Sequence, residues 1–381
     1  MALSLAEYFI DEVASPHFAG REPEEVRFHD PFCGSGTTVL VAKANGYDAS
    51  GSDLLPSSVL LTKAKTSLLG SESISWLEWE TKVNPLTYSR VPRWTWKTWR
   101  KWYSGRTLRA IQDYALHIQD LDDEPHYPHA AIALSQTAWD VSSVDRDVIV
   151  PTHSNFARGI RKFKPGTVRR VYCDRIQRVI RGQRALQSLG FAPDCPTRTW
   201  TASALTTSAW PARLRLVLCS PPYGLGIDYF RATSIQSLST LGESGTGSKS
   251  EMVGRVGSGY VMLDAAQGPF ASEPWGRAIQ EANPERFNAM MTYLIEIEAF
   301  LTIARDHLEP DGLLGMVIGD PEMSRIRVPL TRVIHDIAIL VGFKDHSPPV
   351  VDRIRRRSQG PHRRSSNAPI GQETLLSFVP N

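Results

Sequence analysis

A chain of 381 residues, of which 41% are hydrophobic and 22% charged, has the composition of an ordinary globular protein. It is too long for one minimal core, which predicts two domains or one domain with a large insertion. The net charge of +3 is too small to indicate a partner by itself, and four cysteines without a CxxC pair argue against a disulfide scaffold or a zinc site.

The first predicted element is an amphipathic helix over residues 4–14. It carries Glu7, Asp11 and Glu12 where a secretory signal would need basic residues and then an unbroken apolar run. No later stretch of the sequence approaches the length of a membrane span. These features predict a cytoplasmic protein without a membrane partner.

The next elements predict a strand–helix–strand unit. Residues 24–30 have the pattern of a strand, residues 37–45 that of a helix, and residues 47–53 that of a second strand. A glycine-bearing turn at 32–36 joins the first strand to the helix. Two strands connected in this way should be parallel, with a right-handed crossover.

The character of the sequence changes at about residue 71. The segment to about residue 195 is rich in tryptophan and arginine and is predicted to be mostly helical. Buried-strand patterns return at 214–223 and 312–320, and the chain ends with a further strand candidate at 373–379. This layout predicts an α/β sheet interrupted by a helical insertion.

The glycine turn has the features of a cofactor site. Glycines allow the backbone to approach a ligand closely, and the helix that follows presents its N-terminus to an anion or a carboxylate. Asp53, at the end of the second strand, is placed to accept hydrogen bonds from ribose hydroxyls. Val39 replaces the third glycine of a dinucleotide fingerprint, which favours S-adenosylmethionine over a pyrophosphate cofactor. A purely structural turn is the alternative.

The segment Ser-Pro-Pro-Tyr at 220–223 follows a predicted strand, where ligands bind in open α/β sheets. Successive prolines fix the backbone and have no N–H group. The Ser220 hydroxyl and a prolyl carbonyl can therefore hold an exocyclic amino group by its hydrogens while Tyr223 stacks on the attached ring. Such positioning would direct the amine lone pair at a methyl donor. A simple strand-ending turn is the alternative.

Together, DPFxGSGTT at 30–38 and SPPY resemble the amino-methyltransferases of DNA, which methylate N4 of cytosine or N6 of adenine. The resemblance covers about residues 24–66 and 212–381. It implies a Rossmann-like methyltransferase sheet, mostly parallel with its last strand antiparallel, and a largely helical insertion. The implied domain parts are a cofactor-binding part (1–70), a target-recognition insertion (71–195) and a catalytic part (196–381).

The resemblance also implies the roles of individual residues. Serine in the first position of the tetrad is associated with cytosine N4, and aspartate with adenine N6, so Ser220 favours cytosine. No metal is implied. The implied catalytic residues are Ser220, Pro221, Pro222 and Tyr223. The implied S-adenosylmethionine-binding residues are Asp30, Phe32, Gly34, Gly36 and Thr37, with Asp53 on the ribose.

Three features depart from this family pattern or narrow it. The motif that helps to hold the methionine end of the cofactor is missing or cut short before residue 24. The segment 199–210 contains no acid, where many relatives place one that contacts the adenine ring. Methylation of cytosine C5 needs a nucleophilic cysteine, usually after proline. Cys33 and Cys219 follow phenylalanine and leucine instead, so the sequence argues against C5 methylation.

Basic residues are concentrated in residues 158–184, where ten of them are opposed only by Asp174. Such an excess suits the phosphates of a duplex, although a solvated helix face is the alternative. A second basic cluster at 352–364 holds six arginines and would become ordered on DNA. The residues predicted to contact nucleic acid are Arg158, Arg161, Lys162, Lys164, Arg169, Arg170, Arg355 and Arg356.

Aromatic and basic side chains alternate in residues 93–106. Aromatic rings among cations can stack on an extruded base, but core packing is the favoured role for most of them. These rings are Trp94, Trp96, Trp99, Trp102 and Tyr103.

The sequence as a whole predicts a site-specific DNA methyltransferase that acts on N4 of a flipped cytosine in duplex DNA. The further partner that this activity would imply is a cognate restriction endonuclease. The rival activities are adenine N6 methylation and methylation of an RNA amine. A DNA-binding protein that keeps the fold without catalysis is the hypothesis from a different class.

Overall fold

The computed structural model describes residues 1–82, 99–121, 124–144, 160–188, 197–224, 232–241, 253, 270, 272–353 and 370–381. The chain divides into two compact units. One, here called the sheet unit, comprises Met1–Leu54, Thr197–Asp228 and Ser248–Asn381; the other, the helical unit, comprises Leu55–Pro196 and Tyr229–Gly247.

The helices of the described residues fall into both units. In chain order they are α1 (Leu3–Tyr8), α2 (Ser15–His17), α3 (Thr37–Ala44), α4 (Pro56–Thr66), α5 (Ser71–Glu80), α6 (Gly105–Gln119), α7 (Tyr127–Asp140), α8 (Thr167–Ser188), α9 (Ser234–Leu241), α10 (Pro274–Ala282), α11 (Pro284–His307) and α12 (Leu330–Leu340).

The boundary between the units differs from the expected one. It falls after Leu54 rather than at residue 70, because α4 packs with α7 in the helical unit. The later segment Tyr229–Gly247, which the sequence assigns to the catalytic part, also belongs to the helical unit because α9 packs on α7.

A seven-stranded sheet in the order β3-β2-β1-β4-β5-β9-β8 forms the centre of the sheet unit. Neighbouring strands from β3 to β5 are parallel, whereas β9 runs antiparallel to both β5 and β8. A separate short hairpin joins β6 to β7. The strands are β1 (Arg27–Asp30), β2 (Asp48–Asp53), β3 (Arg198–Thr201), β4 (Leu214–Cys219), β5 (Leu308–Ile318), β6 (Glu322–Met323), β7 (Ile326–Arg327), β8 (Phe343–Arg353) and β9 (Gln372–Pro380).

This strand order confirms the predicted fold class, a Rossmann-like methyltransferase sheet with its last strand antiparallel and a largely helical insertion. The strands predicted from the sequence correspond to β1, β2, β4, β5 and β9. The sequence did not predict β3 or β8. β3 has only four residues, and β8 contains Pro348 and Pro349, which a strand tolerates at a sheet edge because no ladder hydrogen bond is lost there.

The predicted N-terminal helix is confirmed, with a π-helical segment, Phe9–Ala14, between α1 and α2. Phe9 is fully buried against the sheet. A Cβ atom on Gly315 of β5 would lie 2.5 Å from the Cζ atom of Phe9, so this strand position has room only for glycine. The segment therefore covers one face of the sheet close to β5.

Helix α11 corrects one expectation. It is long and apolar enough to cross a membrane, with a mean hydropathy of 1.3 over an 18-residue window, so the expectation that no stretch approaches this length is wrong. Core helices pass the same test, and 61% of the window is buried. Phe287, Met290 and Phe300 of this helix lie in the core of the sheet unit.

The helical unit confirms the core-packing interpretation of the aromatic residues that it describes. Trp99, Trp102 and Tyr103 are each less than 10% exposed and belong to one apolar cluster. The Tyr103 hydroxyl donates to the Ala138 carbonyl at 2.9 Å, which satisfies its polar end inside the core. Trp94 and Trp96 lie outside the described residues.

Candidate active site

The glycine turn connects β1 to α3 and requires its two predicted glycines. Gly34 has a φ angle of +48° and Gly36 one of +74°, which are left-handed conformations that side chains disfavour. Gly36 is the N-cap of α3, where no side chain caps the helix. The first N–H groups of α3 are thus presented by backbone geometry alone, as an anion or carboxylate site needs.

Asp30 lies beneath this turn rather than on its surface. It is only 3% exposed, and its Oδ1 atom accepts a hydrogen bond from the Phe32 N–H at 2.9 Å. Its Oδ2 atom accepts a short hydrogen bond from the Thr38 hydroxyl. Burial raises the pKa of the Asp30 carboxyl to about 7, although both hydrogen bonds lower it. Asp30 therefore braces the turn, and its contact with a cofactor stays a prediction.

Asp53 is half-buried at the end of β2, beside the turn. Its Oδ2 atom accepts a hydrogen bond from the Gly34 N–H at 2.9 Å. Phe32 packs edge-on against Phe300 at 5.1 Å between ring centroids, and Thr37 begins α3. The structure thus brings all six predicted cofactor residues together at the carboxyl ends of β1 and β2.

The sequence did not predict two contacts next to the turn. A Cβ atom on Gly51 would lie 2.9 Å from both the Cβ atom of Cys33 and a methyl carbon of Val39, so β2 passes close behind the turn. A glycine inside a strand is the signal that could have revealed this approach. Thr38 lies in the motif at 30–38, but its hydrogen bond to Asp30 is visible only in the structure.

The segment after β3 lies beside Asp53, because the Ala202 N–H donates to the Asp53 carbonyl at 3.1 Å. It is the acid-free stretch noted in the sequence. Behind it, Trp200 stacks on the buried ring of His29 at 5.2 Å. Burial lowers the pKa of His29 to about 3, so this ring is neutral and serves packing rather than proton transfer.

The Ser-Pro-Pro-Tyr tetrad follows β4, which is the direct neighbour of β1. Parallel neighbours end at the same edge of a sheet, so the tetrad lies beside the glycine turn. The Pro222 carbonyl accepts hydrogen bonds from the Tyr293 hydroxyl at 2.7 Å and from the Gly224 N–H at 3.0 Å. Tyr293 of α11 was not predicted, and it fixes the tetrad backbone from the core.

Tyr223 is held on two sides. A Cβ atom on Gly319, just after β5, would lie 3.3 Å from two ring carbons of Tyr223, so the ring packs directly over this glycine. The Tyr223 hydroxyl donates to an Oε1 atom of Glu373 at 2.9 Å and lies 2.8 Å from Ser220 Oγ. The sequence predicted neither Gly319 nor Glu373 as part of this site.

The cysteine near the tetrad has the properties of a core residue. Cys219 is fully buried, and burial raises the pKa of its thiol well above the ordinary value. A nucleophilic cysteine needs the opposite shift. This environment agrees with the sequence interpretation that set cytosine C5 chemistry aside.

Several predicted nucleic-acid residues lie in the helical unit. Lys162, Lys164 and Arg170 are exposed and line a cavity of about 510 Å³. Arg161 is half-buried and lies just before Lys162. Arg158, Arg355 and Arg356 lie outside the described residues.

Some cations of the basic run are engaged within the unit. The Arg169 guanidinium donates to the carbonyls of Thr81 and Lys82 at the end of α5, at 3.3 Å each. Acids from neighbouring helices also oppose the run, since Arg175 pairs with Asp140 and Arg184 with Glu78, besides the Arg170–Asp174 pair at 3.6 Å. The charge available to a ligand is therefore smaller than the sequence suggests. The exposed cations of the run include Lys162, Lys164, Arg178 and Arg181.

No protein-family model matches the chain. A stretch of 71 residues, 18% of the chain, is 35% identical to the type II methyltransferase M.MvaI of Kocuria varians. The match spans only 16% of the length of that protein. It is local.

Two solved structures of the rRNA methyltransferase aviRa from Streptomyces viridochromogenes also match, with TM-scores of 0.35 and 0.34 and identities of 12% and 14%. Each alignment covers 100% of this chain and 85% of that protein. Scores at this level add nothing to the fold assignment, which rests on the strand order.

Proposed function

We propose that the protein transfers a methyl group from S-adenosylmethionine to an exocyclic amine of a nucleic-acid base. The observation that carries the proposal is the side-by-side position of the glycine turn and the tetrad, at the ends of the parallel strands β1 and β4. The local similarity to M.MvaI supports methyl transfer.

The residues at the turn fit S-adenosylmethionine. Gly34 and Gly36 keep side chains out of the turn, and the N-terminus of α3 has no side-chain cap, which suits a carboxylate. The half-buried Asp53 suits a ribose, and the segment after β3 contributes backbone groups and hydroxyl side chains, but no acid, beside the adenine ring. When bound, S-adenosylmethionine supplies an electrophilic methyl group.

The tetrad fits an aryl amine, which is a weak nucleophile because its lone pair is delocalised. Ser220 Oγ and the Pro221 carbonyl are the two acceptors for its hydrogens, whereas the Pro222 carbonyl is already occupied by Tyr293 and Gly224. Accepting both N–H bonds favours the pyramidal amine, and this interaction strengthens as positive charge grows on nitrogen. Tyr223 would stack on the base.

We propose N4 of cytosine in duplex DNA as the methylated atom, because the first residue of the tetrad is a serine. The basic face of the helical unit around Lys162 and Lys164 would contact phosphates. A restriction endonuclease of the same recognition sequence would be the natural counterpart, because methylation would protect DNA from it.

The test is mass spectrometry of nucleosides from duplex DNA and structured RNA incubated with the protein and S-adenosylmethionine. We expect N4-methylcytosine from DNA, and no product from the Ser220→Ala, Tyr223→Ala double variant. N6-methyladenine would keep the site and refute the cytosine assignment, and a methylated amine in RNA alone would refute DNA. No methylated base in either nucleic acid would refute the proposed function.

Reversing two charges on the helical unit tests the phosphate contacts. We expect the Lys162→Glu, Lys164→Glu variant to bind duplex DNA about 10- to 100-fold more weakly. The slope of log affinity against log salt concentration should fall by about 2, because each phosphate contact contributes about one unit. Fluorescence anisotropy over a salt series measures both. Lys344→Glu, an exposed lysine of the sheet unit, is the matched control, and an equal effect there would contradict the assignment.

A further inference from the structure

A chain of hydrogen bonds links the tetrad to the last strand. Ser220 Oγ lies 2.8 Å from the Tyr223 hydroxyl, which lies 2.9 Å from an Oε1 atom of Glu373. Glu373 is half-buried near the start of β9, the antiparallel strand beside β5, and is 150 positions from Tyr223 in the sequence. All three residues belong to the sheet unit.

The direction of these bonds follows from the chemistry of the groups. A carboxylate can only accept, so the single hydrogen of the Tyr223 hydroxyl points at Glu373. Tyr223 then has no hydrogen left for Ser220, and Ser220 must donate its own hydrogen to the Tyr223 oxygen. The lone pairs of Ser220 Oγ are consequently left to accept from another group.

We propose that Glu373 is a positioning residue for methyl transfer: through Tyr223 it sets the Ser220 hydroxyl as a hydrogen-bond acceptor for the target amine. This inference rests on the proposed function. Without a fixed direction, the Ser220 hydroxyl could turn its hydrogen towards the amine, and two donors would face each other. When Glu373 fixes the direction, each hydrogen bond polarises the next, so Ser220 Oγ becomes a stronger acceptor.

The same carboxylate also fixes the ring of Tyr223. The ring packs over Gly319 on one side, and the Glu373 bond holds its hydroxyl end. The stacking platform and the acceptor therefore share one support. Glu373 lies in β9, whereas the tetrad follows β4, so the contact joins residues from two different strands.

Glu373→Gln is the sharpest variant because it keeps the shape and adds a donor. The new amide can donate to Tyr223 and reverse the chain, so that Ser220 accepts from Tyr223 and offers its hydrogen to the amine. We expect kcat to fall about 10- to 100-fold, with the KM for nucleic acid and the Kd for S-adenosylmethionine within about 3-fold of native, because the lost interaction strengthens only in the transition state. Glu309→Gln, on the Glu309–Arg213 pair at the other end of β5, is the matched control.

A double-mutant cycle separates this role from a general structural one. In Tyr223→Phe the link is already broken, so adding Glu373→Gln should change kcat by less than about 2-fold. Solution NMR with tyrosine labelled at Cζ gives a measure that needs no turnover. The Tyr223 signal, identified by its loss in Tyr223→Phe, should shift in Glu373→Gln and stay in place in Glu309→Gln.

The outcomes distinguish this inference from the proposed function. If the native protein methylates a base and Glu373→Gln does so at the native rate, the positioning role is refuted and the function stands. Additive effects in the cycle, or an unshifted Tyr223 signal, refute it equally. If the native protein methylates no base, the function fails and the positioning role fails with it.

Discussion

Ser220→Ala should lower kcat by about 10²- to 10³-fold, the loss that follows removal of one hydrogen-bonding group directed at charge that develops in a transition state. Alanine keeps the backbone of the tetrad, which the Tyr293–Pro222 bond holds at 2.7 Å. The base can still stack on Tyr223 and still meets the Pro221 carbonyl. The expected change is therefore in the chemical step, not in the assembly of the site.

Single-turnover kinetics with calorimetry of S-adenosylmethionine binding measure this prediction. The Kd of the cofactor should change by less than about 3-fold, since the turn at Gly34 and Gly36 is untouched. Ser347→Ala is the matched control. The Ser347 hydroxyl of β8 also forms a hydrogen bond to another hydroxyl, that of Ser377 in the neighbouring strand β9, at 2.6 Å. A native rate for Ser220→Ala would exclude the serine as an acceptor for the amine.

The stability of the protein should contain a component from Asp30 that falls as pH rises from about 4 to about 7. Burial raises the pKa of Asp30 from 3.8 to about 7 in the folded state. Between these values the folded protein holds a proton that the unfolded chain has released, so the contribution is fully present below pH 4 and is lost as pH rises through 7. Three pKa units correspond to about 4 kcal/mol.

Asp30→Asn isolates this component because it resembles the protonated carboxyl. Its oxygen can accept from the Phe32 N–H, and its amide can donate to the Thr38 oxygen. Urea unfolding at a series of pH values measures the free energy of unfolding of both proteins. The value for the variant minus that for the native protein should increase by about 4 kcal/mol between pH 4 and pH 7. Asp30→Ala should lose stability below about pH 4, where the native carboxyl is protonated, since the Phe32 N–H loses its partner. A difference between native and Asn variant that is constant with pH would contradict the prediction.

The parts of the site that sequence could predict are those formed by neighbours in the chain. Gly34 and Gly36 were recognisable because a turn between strand and helix needs them locally. The tetrad was recognisable because two prolines and a tyrosine follow an apolar strand. Glu373 and Tyr293 were not, since their contacts with the tetrad join residues from distant strands and helices.

The same distinction holds for the fold and for charge. β3 has too few residues to show an alternation of apolar and polar side chains. The two prolines of β8 argue against a strand in the sequence. The basic run looked almost unopposed because Asp140 and Glu78 pair with it from other helices. Asp30 could be placed at a strand end, but only the packing around it showed that its carboxylate faces inward.

The two ends of the strand order have a consequence for how the protein behaves at high concentration. An unpaired strand edge is a template on which other chains can add strands and aggregate. Here one edge strand, β3, is only four residues long, and the other, β8, carries Pro348 and Pro349 together with a shift of register between Ser347 and Val350. Prolines offer no N–H group and the irregularity interrupts the ladder. Both ends of the sheet are therefore protected against growth into intermolecular β structure.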